Sequence, residues 1–184
     1  MKTILVTGAK LALICAVAAV ALGFVNSITA PRIEQIKHEN LENALSVVVP
    51  EGKAGNESVV DEGPVRGLYP IEKDGQTIGY ILRLVGTGYG GDMGILASYD
   101  LRGDVLAAVL MENEETPGLG KEAENPDYMK KYIGKGADTP VPSSKKDLPA
   151  AEAETVSGAS ITFIGIGKAL SAGSAFIQAR GGGK

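Results

Sequence analysis

Between Lys10 and Arg32 the chain runs for 21 residues, Leu11 to Pro31, without a single charge. As a helix rising about 1.5 Å per residue, such a run is roughly 30 Å long, the thickness of a bilayer hydrocarbon core. The Ala-, Leu- and Val-rich stretch from Leu11 to Val25 carries the insertion signal. Asn26, Ser27 and Thr29 lead into the headgroup zone, and Pro31 is expected to end the helix. A cleaved signal peptide has a similar layout, and Ile28-Thr29-Ala30 offers it a small-residue site. Pro31 directly after that site obstructs a signal peptidase, so the expectation is a single uncleaved anchor. Lys2 and Lys10 in the short N-terminal tail favour the cytoplasm for that end, with the rest of the chain outside.

A chain of 184 residues with one anchor has room for one extramembrane domain beside it, not two. Residues 32–184 hold 16 basic and 22 acidic side chains, a net of −6. Binding to nucleic acid needs clustered Lys and Arg, so that partner class is excluded. The only cysteine, Cys15, lies in the apolar run, which excludes an internal disulfide, a Cys-ligated iron–sulfur cluster and a Cys-rich zinc site. The only histidine, His38, has no Cys to pair with, and no metal site is expected.

Residues 1–31 are thus read as tail and transmembrane anchor, 32–66 as a helical stalk and connection, 67–180 as the folded domain and 181–184 as a disordered tail. In the stalk, Ile33, Ile36, Asn40, Leu41, Ala44 and Leu45 share one side of a helix. Glu51 to Pro64, rich in Gly, Glu and Ser, reads as a connection. Residues 67–113 read as an antiparallel meander. Leu68 to Lys73 and Thr77 to Val85 flank an Asp74-Gly75 hairpin turn, and Gly94 to Tyr99 pairs with Val105 to Met111 across Leu101–Asp104. Asn125 to Tyr132 suggests a short helix, and Gly134 to Glu154 a polar crossover punctuated by Pro140, Pro142 and Pro149. The apolar stretch Ile161 to Ala179 resembles a second span, but Lys168 stands at its centre. A helix packed on the sheet is expected instead, with Gly165, Ala169 and Gly173 four apart to permit close approach.

Three segments bear on chemistry. Ser157-Gly158-Ala159-Ser160 opens the last apolar segment. Free amides at a helix N-terminus bind anions, and Gly158 and Ala159 leave the backbone open to a phosphate, so the hydroxyl of Ser160 can serve as acceptor. Alternatively, Ser157 or Ser160 simply caps the helix. Glu115-Thr116-Pro117-Gly118-Leu119-Gly120 reads as a Pro-Gly turn that exposes backbone amides. Glu114 and Glu115 are expected to be solvated or structural, and no catalytic residue is assigned: no histidine or nucleophile stands ready for hydrolysis. Gly86-Thr87-Gly88-Tyr89-Gly90-Gly91 satisfies G-x-G-x-x-G, but the nicotinamide-binding fingerprint requires a helix next, and Met93 to Tyr99 reads as strand.

Glu154-Thr155-Val156-Ser157-Gly158-Ala159-Ser160 resembles the acidic-x-x-Ser/Thr-Gly-Ala-Thr/Ser signature on which flavin transferases attach FMN. Glu115 to Gly120 resembles the Glu-Thr-Pro-Gly-Leu-Gly loop of the same FMN-binding domain family. Gly88 to Gly91 resembles its Gly-Tyr-x-Gly loop, and Thr29-Ala30-Pro31-Arg32-Ile33 the end of its anchor. In this order they resemble the G subunit of the Rnf electron-transport complex, which is related to the C subunit of the sodium-pumping NADH:quinone reductase. Two departures stand out: Ser160 replaces the usual Thr acceptor, and Glu154 the usual Asp. Thr162, outside the motif's register, is the fallback acceptor.

The resemblance implies an α+β fold, with one N-terminal transmembrane helix followed by a curved antiparallel sheet and flanking helices. It implies covalent FMN on Ser160, with Ser157, Gly158, Ala159 and the six residues Glu115, Thr116, Pro117, Gly118, Leu119 and Gly120 around it. It further implies an electron-transfer subunit of an ion-translocating ferredoxin:NAD+ oxidoreductase in the cell membrane, with its domain on the extracytoplasmic side. The implied partners are other membrane and peripheral subunits and a flavin transferase, and the chain alone has no complete turnover. A quinone-reductase C-type or regulatory flavoprotein, or a scaffold subunit without flavin, is the alternative.

Overall fold

The computed structural model describes residues 2–49 and 51–181, so residues 182–184 of the expected disordered tail lie outside the described residues. Its contacts divide the chain into two units, one ending at Leu41 and the other starting at Glu42.

Helix α1, Lys2–Val48, continues through Pro31, where the sequence suggested an end. A proline inside a helix forfeits one backbone bond and crowds the preceding turn. Two hydroxyls of the preceding turn bond back into the helix: Ser27 Oγ donates to the Phe24 carbonyl at 2.8 Å and Thr29 Oγ1 to that of Val25 at 2.9 Å. Apolar membrane-spanning helices accommodate proline more readily than soluble ones. No described residue before Ala44 is buried. Leu22 is 71% and Phe24 67% exposed, and the helix is long and apolar enough to cross a membrane. Such an uncovered apolar surface is what a lipid-facing anchor requires.

The second unit is built on a six-stranded antiparallel sheet. Strands β1 (Lys53–Ala54) and β2 (Ser58–Glu62) both pair with β3 (Val65–Lys73). The order then runs through β4 (Gln76–Thr87), β5 (Asp92–Asp100) and β6 (Val105–Glu112). The sheet curls into a half barrel. Asp74 and Gly75, at φ 52° and 77°, make the tight β3–β4 hairpin with both central residues left-handed, as an Asp-Gly pair favours. Between β5 and β6, Asp100 Oδ1 accepts from the amides of Arg102 and Asp104 at 2.9 and 2.8 Å.

Residues 51–64, expected as a mere connection, thus supply two strands. They are short, polar and largely exposed, so they lack the alternation that marks a half-buried strand. After β6 come a 3-10 turn at Gly120–Glu124 and helix α2 (Pro126–Met129), capped by Asn125 and shorter than the helix expected over Asn125 to Tyr132. The polar crossover holds more structure than expected, a 3-10 turn at Lys145–Asp147 and helix α3 (Ala150–Thr155).

Helix α4, Ser160–Gly181, lies against β4 and β5. It is long and apolar enough to cross a membrane, yet most of its apolar window is buried within the protein. Phe163, Ile166 and Leu170 join Leu82, Leu84 and Ile95 in one core. Two buried tyrosines pin the helix: Tyr99 Oη donates to the Leu170 carbonyl at 3.0 Å and Tyr132 Oη to that of Phe163 at 2.9 Å. Small residues set the spacing, as expected: a Cβ on Gly173 would stand 2.4 Å from the Tyr99 hydroxyl.

Burial pushes the Tyr69 hydroxyl up to about 12, and burial likewise raises Tyr99, Tyr128 and Tyr132 above the usual tyrosine range. The native state therefore holds protons that the unfolded chain releases near pH 10. This contribution to stability is complete below about pH 10 and is lost as pH rises through the raised folded values. The urea midpoint of the detergent-solubilised protein should fall between pH 9 and pH 11, and Tyr69→Phe should lessen the fall. An unchanged midpoint would contradict this.

Candidate functional site

The loop after β6 starts with a local clasp: Asn113 Oδ1 accepts the Glu115 amide at 3.1 Å. Pro117 and Gly118 then occupy the centre of a turn closed by the Leu119 amide on the Thr116 carbonyl at 3.1 Å. Gly118 takes φ 75°, the left-handed geometry that a Pro-Gly pair supplies. The Lys121 amide also donates to the Thr116 carbonyl, at 3.2 Å, and the chain passes into its 3-10 turn.

The start of α4 is open. After α3, Gly158 at φ 92° reverses the chain, and the Phe163 amide closes the first helical bond on the Ala159 carbonyl at 3.0 Å. Ala159 therefore occupies the cap position, and its side chain has no acceptor to offer. Ser160 is the first helical residue, and Ser157 Oγ accepts instead from Lys145 Nζ at 2.8 Å. The capping alternative for the two serines is not what the structure adopts. Amides in a first turn have no partner within the helix, and the helix dipole makes this end attractive to an anion. Those amides belong to Ser160, Ile161 and Thr162.

These two segments face one cleft of about 360 Å³. Its lining comprises Tyr89, Glu115, Thr116, Leu119, Gly120, Gly158, Ala159, Ser160, Ile161 and Thr162. Eight expected site residues are thus brought together from two separate segments of the chain. Pro117, Gly118 and Ser157 do not line the cleft. The first two shape the turn, and Ser157 holds Lys145. Ser160 is half-buried at the cleft wall.

Thr162 differs sharply from Ser160. It is 1% exposed, and its hydroxyl donates to Glu115 Oε2 at 2.6 Å. Glu115 is itself 4% exposed, and its Oε1 accepts the Gly90 amide at 2.9 Å. Its neighbour Glu114 is exposed. Glu115 is thus structural, as one expected reading had it, and it ties the glycine loop, the Pro-Gly loop and α4 to one another. The packing leaves no room for side chains. A Cβ on Gly88 or on Gly120 would lie 2.1 Å from a Glu115 carboxylate oxygen. Burial raises the Tyr128 hydroxyl, and the Glu115 charge raises it further.

Tyr89 and Ile161 were not singled out as site residues by sequence. Tyr89 lies in the glycine loop that was flagged, and its 75% exposure on a loop beside the cleft suits a ligand-facing aromatic. Ile161 is 52% exposed directly after Ser160, and its helical register was the available signal. Nothing in the sequence pattern pointed to the Lys145–Ser157 contact.

Residues 88–173 match the FMN-binding domain family, and residues 1–48 match the RnfG N-terminal region. The chain is 31% identical over 152 residues to the G subunit of the ion-translocating oxidoreductase complex of Cereibacter sphaeroides, covering 77% of this chain and 69% of that one. It is 29% identical over 163 residues to the G subunit of the same complex in Stutzerimonas stutzeri, covering 83% and 72%. It is 25% identical over 157 residues to the G subunit of the proton-translocating ferredoxin:NAD(+) oxidoreductase complex of Clostridium ljungdahlii, covering 83% of each. Among solved structures, NqrC of Shewanella oneidensis aligns over 73% of each chain at 16% identity and a TM-score of 0.48. With an apolar N-terminal helix, a domain matched by the FMN-binding family and RnfG-type relatives aligned over most of its length, this chain belongs to the RnfG family.

Proposed function

We propose that this chain is a membrane-anchored electron carrier that holds FMN in phosphoester linkage to Ser160, within an ion-translocating ferredoxin:NAD+ oxidoreductase complex of the Rnf type. The observation that carries the reading is the single cleft that joins the Pro-Gly loop to the open N-terminus of a 22-residue helix, with Ser160 at its wall. The volume of about 360 Å³ is in the range of small-ligand clefts. The residues fit the group: a half-buried hydroxyl, free first-turn amides, no side chain at Gly158, and a Lys145 ammonium hydrogen-bonded to the motif's Ser157.

FMN supplies the redox chemistry when bound, by taking up and releasing one or two electrons; the protein supplies attachment, orientation and electrostatics. Ser160 would contribute the Oγ that becomes the ester oxygen. A separate flavin transferase would bring FMN as one half of a dinucleotide, whose phosphoanhydride bond breaks as Oγ–P forms, with the other nucleoside monophosphate leaving and the hydroxyl proton passing to a base of the transferase. The amides of Ser160, Ile161 and Thr162 neutralise part of the phosphate charge. Tyr89, Leu119 and Ile161 offer apolar surface to the ring. Thr162, only 1% exposed, is less accessible to a transferase than the half-buried Ser160. Helix α1 is the single membrane anchor, with the flavin domain on the extracytoplasmic side. Electrons arrive from and leave to other subunits of the complex, so turnover requires the assembly.

The test is the visible spectrum of full-length protein purified from native membranes. Near-stoichiometric flavin that bleaches with reductant and stays with the chain after denaturation is expected. Flavin released by denaturation would leave the carrier role and overturn the covalent link. A colourless protein from membranes whose other flavoproteins are loaded would favour a scaffold subunit.

A further inference from the structure

We infer that Glu115 tunes the reduction potential of the flavin: its buried carboxylate is a fixed negative charge at the wall of the cleft that holds down the potential. The inference rests on the FMN reading above and adds an electrostatic role for a residue at the cleft wall.

Three observations carry it. First, both carboxylate oxygens already accept hydrogen bonds within the protein, Oε1 from the Gly90 amide and Oε2 from the Thr162 hydroxyl. Acceptance at both oxygens is the pattern of a carboxylate, and the two bonds hold it in place at the cleft wall. Second, the side chain is 4% exposed, and no salt bridge to it occurs among the described residues. Its charge is therefore offset by hydrogen bonds and not cancelled by a cation. Third, among the described residues Glu115 is the one acidic or basic residue lining the cleft. Water screens a buried charge poorly, so its field acts on whatever occupies that space.

The sign follows from charge balance. Reduction by two electrons with uptake of one proton adds one negative charge to an isoalloxazine ring. A fixed carboxylate beside the ring opposes that addition and lowers the potential. Removing the charge while keeping the shape should raise it.

Glu115→Gln is close to isosteric. Its amide oxygen can still accept from Gly90, and its NH2 can donate to a Thr162 hydroxyl that has turned to accept. The experiment is a dithionite titration, with reference dyes, of flavin-loaded full-length protein in detergent. The expected result for Glu115→Gln is a reduction equilibrium of the bound flavin shifted at least tenfold toward the reduced form, about 30 mV upward for a two-electron couple. A loaded Glu115→Gln protein with an unchanged or lower potential overturns the proposal. So does a folded variant that carries no flavin, since Glu115 would then be a requirement of loading. If Glu115→Gln does not fold, Thr162→Val provides the second arm. It removes the donor from Oε2, leaves that charge less compensated, and is expected to shift the potential downward. An unchanged or higher value there counts equally against the proposal. A wild-type protein without flavin would instead refute the FMN reading, an outcome distinct from every result obtained on loaded protein.

Discussion

Ser160→Ala is expected to abolish covalent flavin on this chain while leaving its fold intact. In the wild type, flavin fluorescence should travel with the protein band through a denaturing gel; in the variant that band should be dark. The change is small in structural terms. Ser160 is half-buried, it is the first residue of α4, and among the hydrogen bonds found for described residues its side chain takes part in none. Trimming such a hydroxyl shifts stability by roughly 0.5 kcal/mol or less, so an unaltered melting curve separates loss of the acceptor from loss of the fold. Thr162→Ser is the matching control. It keeps the hydroxyl that donates to Glu115 and should retain full fluorescence. If Ser160→Ala stays fluorescent, the linkage is elsewhere, and Thr162 becomes the first residue to examine.

Gly165→Val is expected to be the most damaging single change in the sheet–helix packing. A Cβ at Gly165 would stand 2.1 Å from the Thr87 carbonyl oxygen and 3.1 Å from Met93 Cε. The first of these is backbone at the end of β4 and cannot swing away, so α4 must lift off the sheet. Overpacking of this kind typically costs about 1–3 kcal/mol and sometimes more. A loss of about 3 kcal/mol is expected in chemical denaturation of the detergent-solubilised protein. Ser171→Ala, on the exposed side of the same helix, should stay within about 0.5 kcal/mol of wild type. Because Gly165 is one turn and a half beyond Ser160, lifting α4 should also open the cleft and reduce flavin loading. A Gly165→Val protein as stable as wild type would show that the close approach is not required.

The features legible in the sequence were those written in local chemistry. The Asp74-Gly75 pair announced its hairpin, because few residues other than Gly, Asn and Asp accept two successive left-handed positions. Lys168 argued against a second membrane span, and α4 is indeed mostly buried in the domain core. The spacing of Gly165, Ala169 and Gly173 marked the face of α4 that approaches β4 and β5. The elements that escaped were those set by distant partners. Strands β1 and β2 are polar and exposed, and they become strands because the edge of β3 has free backbone groups to pair. Helix α1 likewise continues through Pro31, a residue that read locally marks a helix end.

The site divides in the same way. Its loops were visible as motifs, since Pro117-Gly118 and Ser157-Gly158-Ala159-Ser160 each carry their geometry with them. The resemblance put Glu115 near FMN, but the residue itself could be placed only between exposure and a structural role, because a charged side chain is ordinarily exposed. Its burial is decided by the Gly90 amide and by a hydroxyl 47 positions away. The two hydroxyls near the start of α4 thereby differ in setting, Thr162 being buried against Glu115 and Ser160 half-buried at the cleft wall, a distinction invisible in the string.

The most direct test of the account is the intact mass of the wild-type chain, denatured after isolation from its native membrane and followed by peptide mapping. The account predicts an added mass of one FMN less one water, localised to Ser160. An unmodified chain, or the same added mass localised to Thr162, would contradict it.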